Sequence, residues 1–373
     1  MERGRGVPRP RRAVATRGRS VPAAPRVVPR AAPPPATVAD VARAAGVSTA
    51  TVDRVLHGRP NVRPATAERV LRAAAALQAV PEDAVRRALA PPPMEIAFLL
   101  PAGTNRYVRM VGDAVGFAEA SLRPYNVRCR AHAVDSFDPA ALADALLHHG
   151  RTAQGIALMG VEHPRVRDAV RTLAARGVHV VTLITDVADS PRVAYVGIDH
   201  RSAGRTAALL IGRLAGGRGG EVATIAGSLG YRGHEEREMG FLGLMRESFP
   251  ELRVIRALEG RDDADSNFRH ARALLERHPD LVGLYNIGGA ADGVGRALRE
   301  SGRAGRVVFV AHGLTPDTRA LLIDRTLDAV LTHSPQAMVH ACVRILANVR
   351  DGHEAMAGVE PVRFSIVMRE NLP

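Results

Sequence analysis

From residue 94 onward the chain repeats one pattern: a short run that is apolar at every position, then a longer amphipathic stretch. The runs are MEIAFLL (94–100), GIALMG (155–160), HVVTLI (179–184), EVATIAG (221–227), LVGLYNI (281–287) and VVFVA (307–311). A strand with one wet face alternates apolar and polar residues, so a strand apolar throughout must be covered on both faces. Between the runs, stretches such as RVRDAVRTLAARG, RTAALLIGRLAGG and NFRHARALLERHP carry apolar residues at helical spacing. Strands alternating with helices predict an α/β fold with parallel sheets. Residues 94–373 are long enough for two such lobes. Aromatic residues make up 3% of the chain and Trp is absent, so Ala, Val and Leu must fill most of the core. GGRGGEVATIAG (216–227) has the composition of a phosphate loop, yet it precedes its strand and lacks G-K-[ST]. It reads as a helix-to-strand turn.

The front of the chain differs in kind. Residues 1–35 hold nine Arg against one Glu with abundant Pro, and they show no apolar periodicity, which predicts a disordered tail. Residues 36–90 add eight Arg against five acids, so most of the net charge of +13 sits at this end, where a polyanion would bind. Every base is Arg, the side chain suited to bidentate contacts with phosphate and guanine. The tail has no apolar segment of the secretory kind and no later run could span a bilayer, so the expected location is the cytoplasm, at the nucleoid, with no membrane partner. Cys129 and Cys342 fit no metal or redox spacing and are expected as buried thiols. Four parts are predicted: the tail (1–35), a small helical unit (36–79), a linker (80–93) ending in PPP, and the α/β region (94–373).

The helical unit reads in detail. Thr37 can cap a helix over Val38–Ala45 whose Val38, Val41, Ala42 and Ala45 share a face. Gly46 suits the left-handed residue that ends it. Val47 fills the turn, Ser48 caps a second helix with Val52, Val55 and Leu56 inward, and a third helix from about Pro64 to Leu77 turns Val70, Leu71, Ala74 and Leu77 inward. Helix, Gly turn and capped helix match a helix-turn-helix, whose second helix offers its first residues to a DNA major groove.

The stretch also resembles the DNA-binding head of the LacI/GalR repressor family, T-x-x-D-V-A-x-x-A-G-V-S-x-x-T-V-x-R-V-L. Thirteen positions match: Thr37, Asp40, Val41, Ala42, Ala45, Gly46, Val47, Ser48, Thr51, Val52, Arg54, Val55 and Leu56. The resemblance implies base contacts from Thr49, Ala50 and Arg54 and phosphate contacts from Ser48 and Thr51. Asp53 stands where the family commonly has Ser; a carboxylate there either accepts from a cytosine amino group or bonds Arg54 or Arg59. In the linker, PEDAVRRALAPPP resembles the family's hinge helix, with Arg86 and Arg87 for phosphates and Leu89 as minor-groove wedge, one position beyond the register in which Ala88 stands.

Residues 94–368 resemble the periplasmic-binding-protein type I fold that family repressors carry behind the head, two lobes around a ligand cleft. The fold class expected is therefore a small all-α helix-turn-helix head followed by a two-lobed α/β domain with parallel sheets. Sites in such sheets lie beyond the carboxyl ends of strands. The resemblance places there Asn105, Tyr107, Arg237 (in R-x-x-G-F), Asn286 (or Ile287, counting back from GRAL), His312 and His333, and Asp186 stands two residues past a strand end. His312 stands where many relatives have Asp, and His333 where Gln is common. Arg237 with histidines suits a sugar acid or polyol as well as a neutral sugar. Scattered histidines, His148 next to His149 included, make no metal pair, and no nucleophile and base are visibly matched. The expected protein is thus no enzyme, has no cofactor and no metal, and works as a homodimer on near-palindromic double-stranded operator DNA under control of a small polar effector. The other classes to weigh are a solute-binding protein of a sugar transport system and an architectural DNA binder acting through the tail.

Overall fold

A computed structural model of the chain describes residues 36–57, 59, 61–80, 92–135 and 137–373. The chain divides between Pro91 and Pro92 into two units.

The first unit holds α1 (Val38–Ala45), α2 (Thr49–Leu56) and α3 (Pro64–Ala76). Thr37 and Asp40 form a reciprocal capping box on α1, and Gly46, at φ 65°, ends that helix in a conformation that costs a Cβ-bearing residue about 1–2 kcal/mol. The Ser48 side chain accepts from the Thr51 N–H at the start of α2. Val41, Ala42, Ala45, Val52, Val70 and Ala74 form the core, with Val47, Val55 and Leu56 packed around it. Two expected core residues are corrected: Val38 is 44% exposed and Leu77 37% exposed. Both lie at helix ends, where a three-helix core this small has no neighbour left to cover them.

In the second unit, lobe 1 contains β1 (Met94–Pro101), α4 (Arg106–Phe117), α5 (Glu119–Leu122), β2 (Val127–Val134), α6 (Pro139–His149), β3 (Gly155–Leu158), α7 (Pro164–Ala175), β4 (His179–Leu183) and β5 (Ala194–Val196). The chain then crosses to lobe 2, with α8 (His200–Leu214), β6 (Gly220–Ala226), α9 (Arg232–Ser248), β7 (Leu252–Glu259), α10 (Ala264–Arg277), β8 (Leu281–Asn286), α11 (Ala291–Glu300), β9 (Val308–His312), α12 (Pro316–Ile323) and β10 (Ala329–Thr332). It returns to pack α13 (Pro335–Arg350) on lobe 1, and β11 (Ser365–Val367) ends back in the lobe 2 sheet. The sheets run β2-β1-β3-β4-β5 and β11-β10-β9-β8-β6-β7. All pairs are parallel, as the alternation of strands and helices predicts, except that the short β11 joins β10 antiparallel at the edge of the lobe 2 sheet. Continuous apolar strands lie at sheet centres, as the covered-on-both-faces argument requires.

Helices α8 and α9 approach unusually closely. A Cβ on Gly204 would lie 2.0 Å from the Arg237 carbonyl oxygen, and one on Gly240 2.2 Å from that of Arg201. This seam sets the position of α9, the helix that carries Arg237, against lobe 2. Phe241 on the same helix stacks on Tyr285 of β8, with ring centroids 4.9 Å apart. Among the described residues no helix is long and apolar enough to cross a membrane.

Candidate functional site

The cleft between the lobes is lined by loops at the carboxyl ends of β1, β4, β6, β8, β9 and β10, where a parallel sheet leaves backbone groups unpaired. It has an outer chamber of about 180 Å³ beside Arg106, Asp292 and Asp317, and an inner one of about 40 Å³ around Arg237. Asn105, Tyr107, Gly289 and His312 face both.

Arg237 is buried, and its Nε donates to His200 Nδ1 at 3.1 Å while Nη1 donates to the Ile287 carbonyl at 2.7 Å. Because His200 Nδ1 accepts, its Nε2 must carry the proton, which it gives to the Ile184 carbonyl at 2.6 Å. Burial first, and the Arg237 charge second, hold the His200 imidazole neutral, well below its ordinary pKa. Ile184 itself has φ 63°, and the Thr185 N–H bonds the Leu183 carbonyl at 2.7 Å, closing a γ-turn. A β-branched residue there costs of order 1–3 kcal/mol, and the strain sits on a residue of the chamber wall.

Three more imidazoles line the inner chamber. His312 Nε2 meets the Tyr285 hydroxyl at 2.6 Å, His234 Nδ1 meets the Ser228 backbone, and His333 Nε2 is buried with no partner among the described residues. Burial lowers the pKa of each, that of His234 to about 4 and that of His333 to about 3. The Tyr107 hydroxyl donates to the His333 carbonyl at 2.8 Å.

Asp262 joins the lobes. Its carboxylate accepts from Asn105 Nδ2 of lobe 1 at 2.8 Å and from the Gly289 N–H of lobe 2 at 2.7 Å. The Asn105 Oδ1 is committed to the Tyr107 and Val108 N–H groups, which caps α4. A second link across the cleft pairs Arg106 with Asp317.

Of the residues singled out in the sequence, Asn105, Tyr107, Arg237, His312 and His333 come together on the chamber wall. Asp186 and Asn286 do not. Asp186 is gripped by both Arg192 nitrogens and the Thr182 hydroxyl, and Asn286 donates to the Gly288 and Gly289 carbonyls, so both shape loops near the cleft. Sequence reasoning missed His234 and Asp262. His234 lies three residues before Arg237 on one helix, hence on the same face, and that spacing could have found it. Asp262 follows β7, LRVIRALE, whose apolar residues are broken up by Arg253 and Arg256 and form neither a continuous run nor an alternation.

In the head, Thr49, Ala50 and Arg54 are exposed on α2, and no described side chain bonds the Arg54 guanidinium. Ser48 Oγ lies 2.9 Å from Thr51 Oγ1. Asp53 pairs with Arg59 at 3.2 Å and His57 at 3.1 Å rather than with Arg54. Arg86, Arg87 and Leu89 lie outside the described residues. Among those described, no three His, Cys, Asp or Glu side chains converge to hold a metal ion.

Residues 96–354 match the periplasmic binding protein domain family, and residues 37–82 match the lacI family of bacterial regulatory proteins. The chain belongs to the periplasmic binding protein domain family, behind a lacI-type head. The sucrose operon repressor of Escherichia coli is 52% identical over 52 residues, 14% of this chain and 16% of that protein, so the chain spans only a small part of that relative. Catabolite control protein A of Priestia megaterium is 26% identical over 250 residues, covering 67% of this chain and 73% of the relative. The two-lobed fold is shared with GanP, a glucose-galactose binding protein from Geobacillus stearothermophilus, at TM-score 0.68 and 22% identity over 75% of this chain and 99% of that one. It is shared equally with a putative LacI transcriptional regulator from Bacteroides fragilis, at TM-score 0.67 and 17% identity over 75% and 98%. Arg237, His234, His312 and His333 line the cleft between the two lobes of this domain.

Proposed function

We propose that this lacI-type protein is a repressor that binds operator DNA through its head and is controlled by a small polar ligand, a sugar, sugar acid or polyol, held between the lobes. One observation carries the reading: a single chain joins a helix-turn-helix with exposed Thr49, Ala50 and Arg54 to a two-lobed unit whose cleft is lined by hydrogen-bonding side chains. One head makes too few base contacts for useful discrimination, so two heads in a homodimer read a near-palindromic site in the bacterial cytoplasm. Ligand binding changes how the lobes meet, and the coupling to DNA is on the order of 1–3 kcal/mol. No catalytic step is assigned to the cleft.

The test is selection of preferred duplexes from a random pool by the full chain, followed by fluorescence anisotropy on the winners. A recovered inverted repeat, bound at least about a thousandfold more tightly than random DNA at the same salt, supports the reading. Binding indifferent to sequence and steeply salt dependent returns the head to a non-specific role.

A further inference from the structure

Among the described residues, the inner chamber holds a cation that no anion contacts. Arg237 bonds a neutral imidazole through Nε and a backbone carbonyl through Nη1, and no described residue bonds its Nη2. Asp262, the carboxylate whose charge reaches it, is bonded to Asn105 and Gly289 instead. No Asp or Glu stands on the wall of this chamber, whereas His234, His312 and His333 do, and the buried His333 Nε2 lacks a partner. A buried charge without a counter-charge is expensive, and the polar groups around Arg237 are dipoles, which offset only part of that cost. The size of the space also limits the guest. A water-sized group needs roughly 10–15 Å³, so the chamber of about 40 Å³ admits about three such groups, the dimensions of one oxyanion head. The outer chamber, about 180 Å³ and carrying both Arg106 and the acids Asp292 and Asp317, offers balanced polar walls suited to hydroxyl groups.

We infer that the ligand of this cleft is a polyhydroxylated small molecule bearing an oxyanion, a carboxylate or phosphate, whose charged head seats against Arg237 while the hydroxylated remainder fills the outer chamber. The inference rests on the ligand-controlled reading above and narrows it from polar ligands in general to acidic ones. Arg237 Nη2 donates to one oxygen of the head. His333 Nε2, which has no partner among the described residues, donates to another in the tautomer that carries its proton there, while His312, whose Nε2 meets the Tyr285 hydroxyl, shapes the same wall. Asp262, held by Asn105 and Gly289, keeps its charge but stands behind the wall of the inner chamber, so no carboxylate faces the guest directly.

The test is a thermal-shift and calorimetric comparison on the full chain with matched pairs at one pH and ionic strength. The pairs are galacturonate against galactose, glucuronate against glucose, and gluconate against sorbitol; glucose 6-phosphate, glycerate and inorganic phosphate complete the panel. The expected result is that an acid binds about ten- to a hundredfold more tightly than its neutral partner, the worth of one charge-assisted pair. Arg237→Gln should abolish that preference and Arg237→Lys should retain part of it. Should the Gln variant not fold, the wild-type ranking and the Lys variant decide. Preference for glucose 6-phosphate over every carboxylate would assign the head to phosphate, and the reverse to carboxylate. Neutral members binding as well as the acids, or no response to any acid or oxyanion in the panel, overturns the inference. The operator selection stands apart from that outcome, since it reads the head without a ligand.

Discussion

Exchanging Asn105 and Asp262 separates the energy that holds the lobes together from the energy that holds either lobe. In Asp262→Asn, one oxygen can still accept from the Gly289 N–H, but the new amide then points its nitrogen at the Asn105 nitrogen, donor against donor. Asn105 cannot flip to relieve this, because its oxygen caps α4 through the Tyr107 and Val108 N–H groups. Nor does the backbone object, since Asn tolerates the φ of 53° at position 262 as well as Asp does. The loss is one hydrogen bond to a charged acceptor, about 1.5–3 kcal/mol, and it falls on lobe closure, shifting that equilibrium roughly ten- to a hundredfold. At about 2 °C per kcal/mol for a unit of this size, Tm should drop by about 3–6 °C. Asn105→Asp alone sets two carboxylates face to face and should cost at least as much. The double exchange restores the geometry: the carboxylate moved to position 105 caps α4 with one oxygen and accepts from the amide at position 262 with the other. Calorimetry on the four proteins, with X-ray scattering to follow lobe separation, should show the exchange recovering more than half of the loss. Single variants within about 1 °C of wild type, or a double variant carrying the sum of both losses, would refute the argument.

Four further outcomes are expected. Arg54→Ala should cost about 1–3 kcal/mol at one base pair and relax preference there; an equal loss on every sequence in anisotropy titrations would move Arg54 to a phosphate. Deleting residues 1–35 should weaken non-specific binding and flatten its salt dependence while preserving operator choice, and loss of all discrimination would count against the head as reader. Gly204→Ala puts a methyl 2.0 Å from a backbone carbonyl that no rotamer can clear, so it should destabilise by about 1–3 kcal/mol or more and weaken ligand binding through Arg237 on the displaced helix; unchanged melting and affinity would deny the seam its role. Stability should also fall as pH drops below about 6.5: burial lowers the folded-state pKa of His234 to about 4 and of His333 to about 3, so the unfolded chain takes up protons the folded one refuses, at up to about 1.4 kcal/mol per pH unit for each group. A Tm constant between about pH 7 and 5.5 contradicts this.

The head was legible apart from Val38 and Leu77 at its helix ends, because its signals are local. A cap, a left-handed Gly and apolar residues three and four apart each depend on neighbours within one turn. The six strands read from continuous apolar runs, β1, β3, β4, β6, β8 and β9, all lie inside a sheet, where a parallel sheet is buried on both faces and leaves no face for polar residues. The five that escaped have reasons of their own. β2, β5, β7 and β11 lie at sheet edges, where one side lacks a partner strand, and the apolar run of β10 is only three residues, Ala329 to Leu331, between Asp328 and Thr332. Missing β7 meant missing Asp262 behind it. Arg237 was recognisable from its helix pattern, yet nothing local said that it would be buried against neutral partners, since that requires His200 from one segment and the Ile287 carbonyl from another, 37 and 50 residues away. Asp186 and Asn286 carry the right chemistry at plausible positions, and only the fold shows Arg192 and the Gly288 and Gly289 carbonyls already engaging them. Periodicity and capping are properties of a few consecutive residues, so the chain declares them. Burial, charge pairing and the direction of a side chain belong to segments brought together by folding, and there the tertiary structure decides.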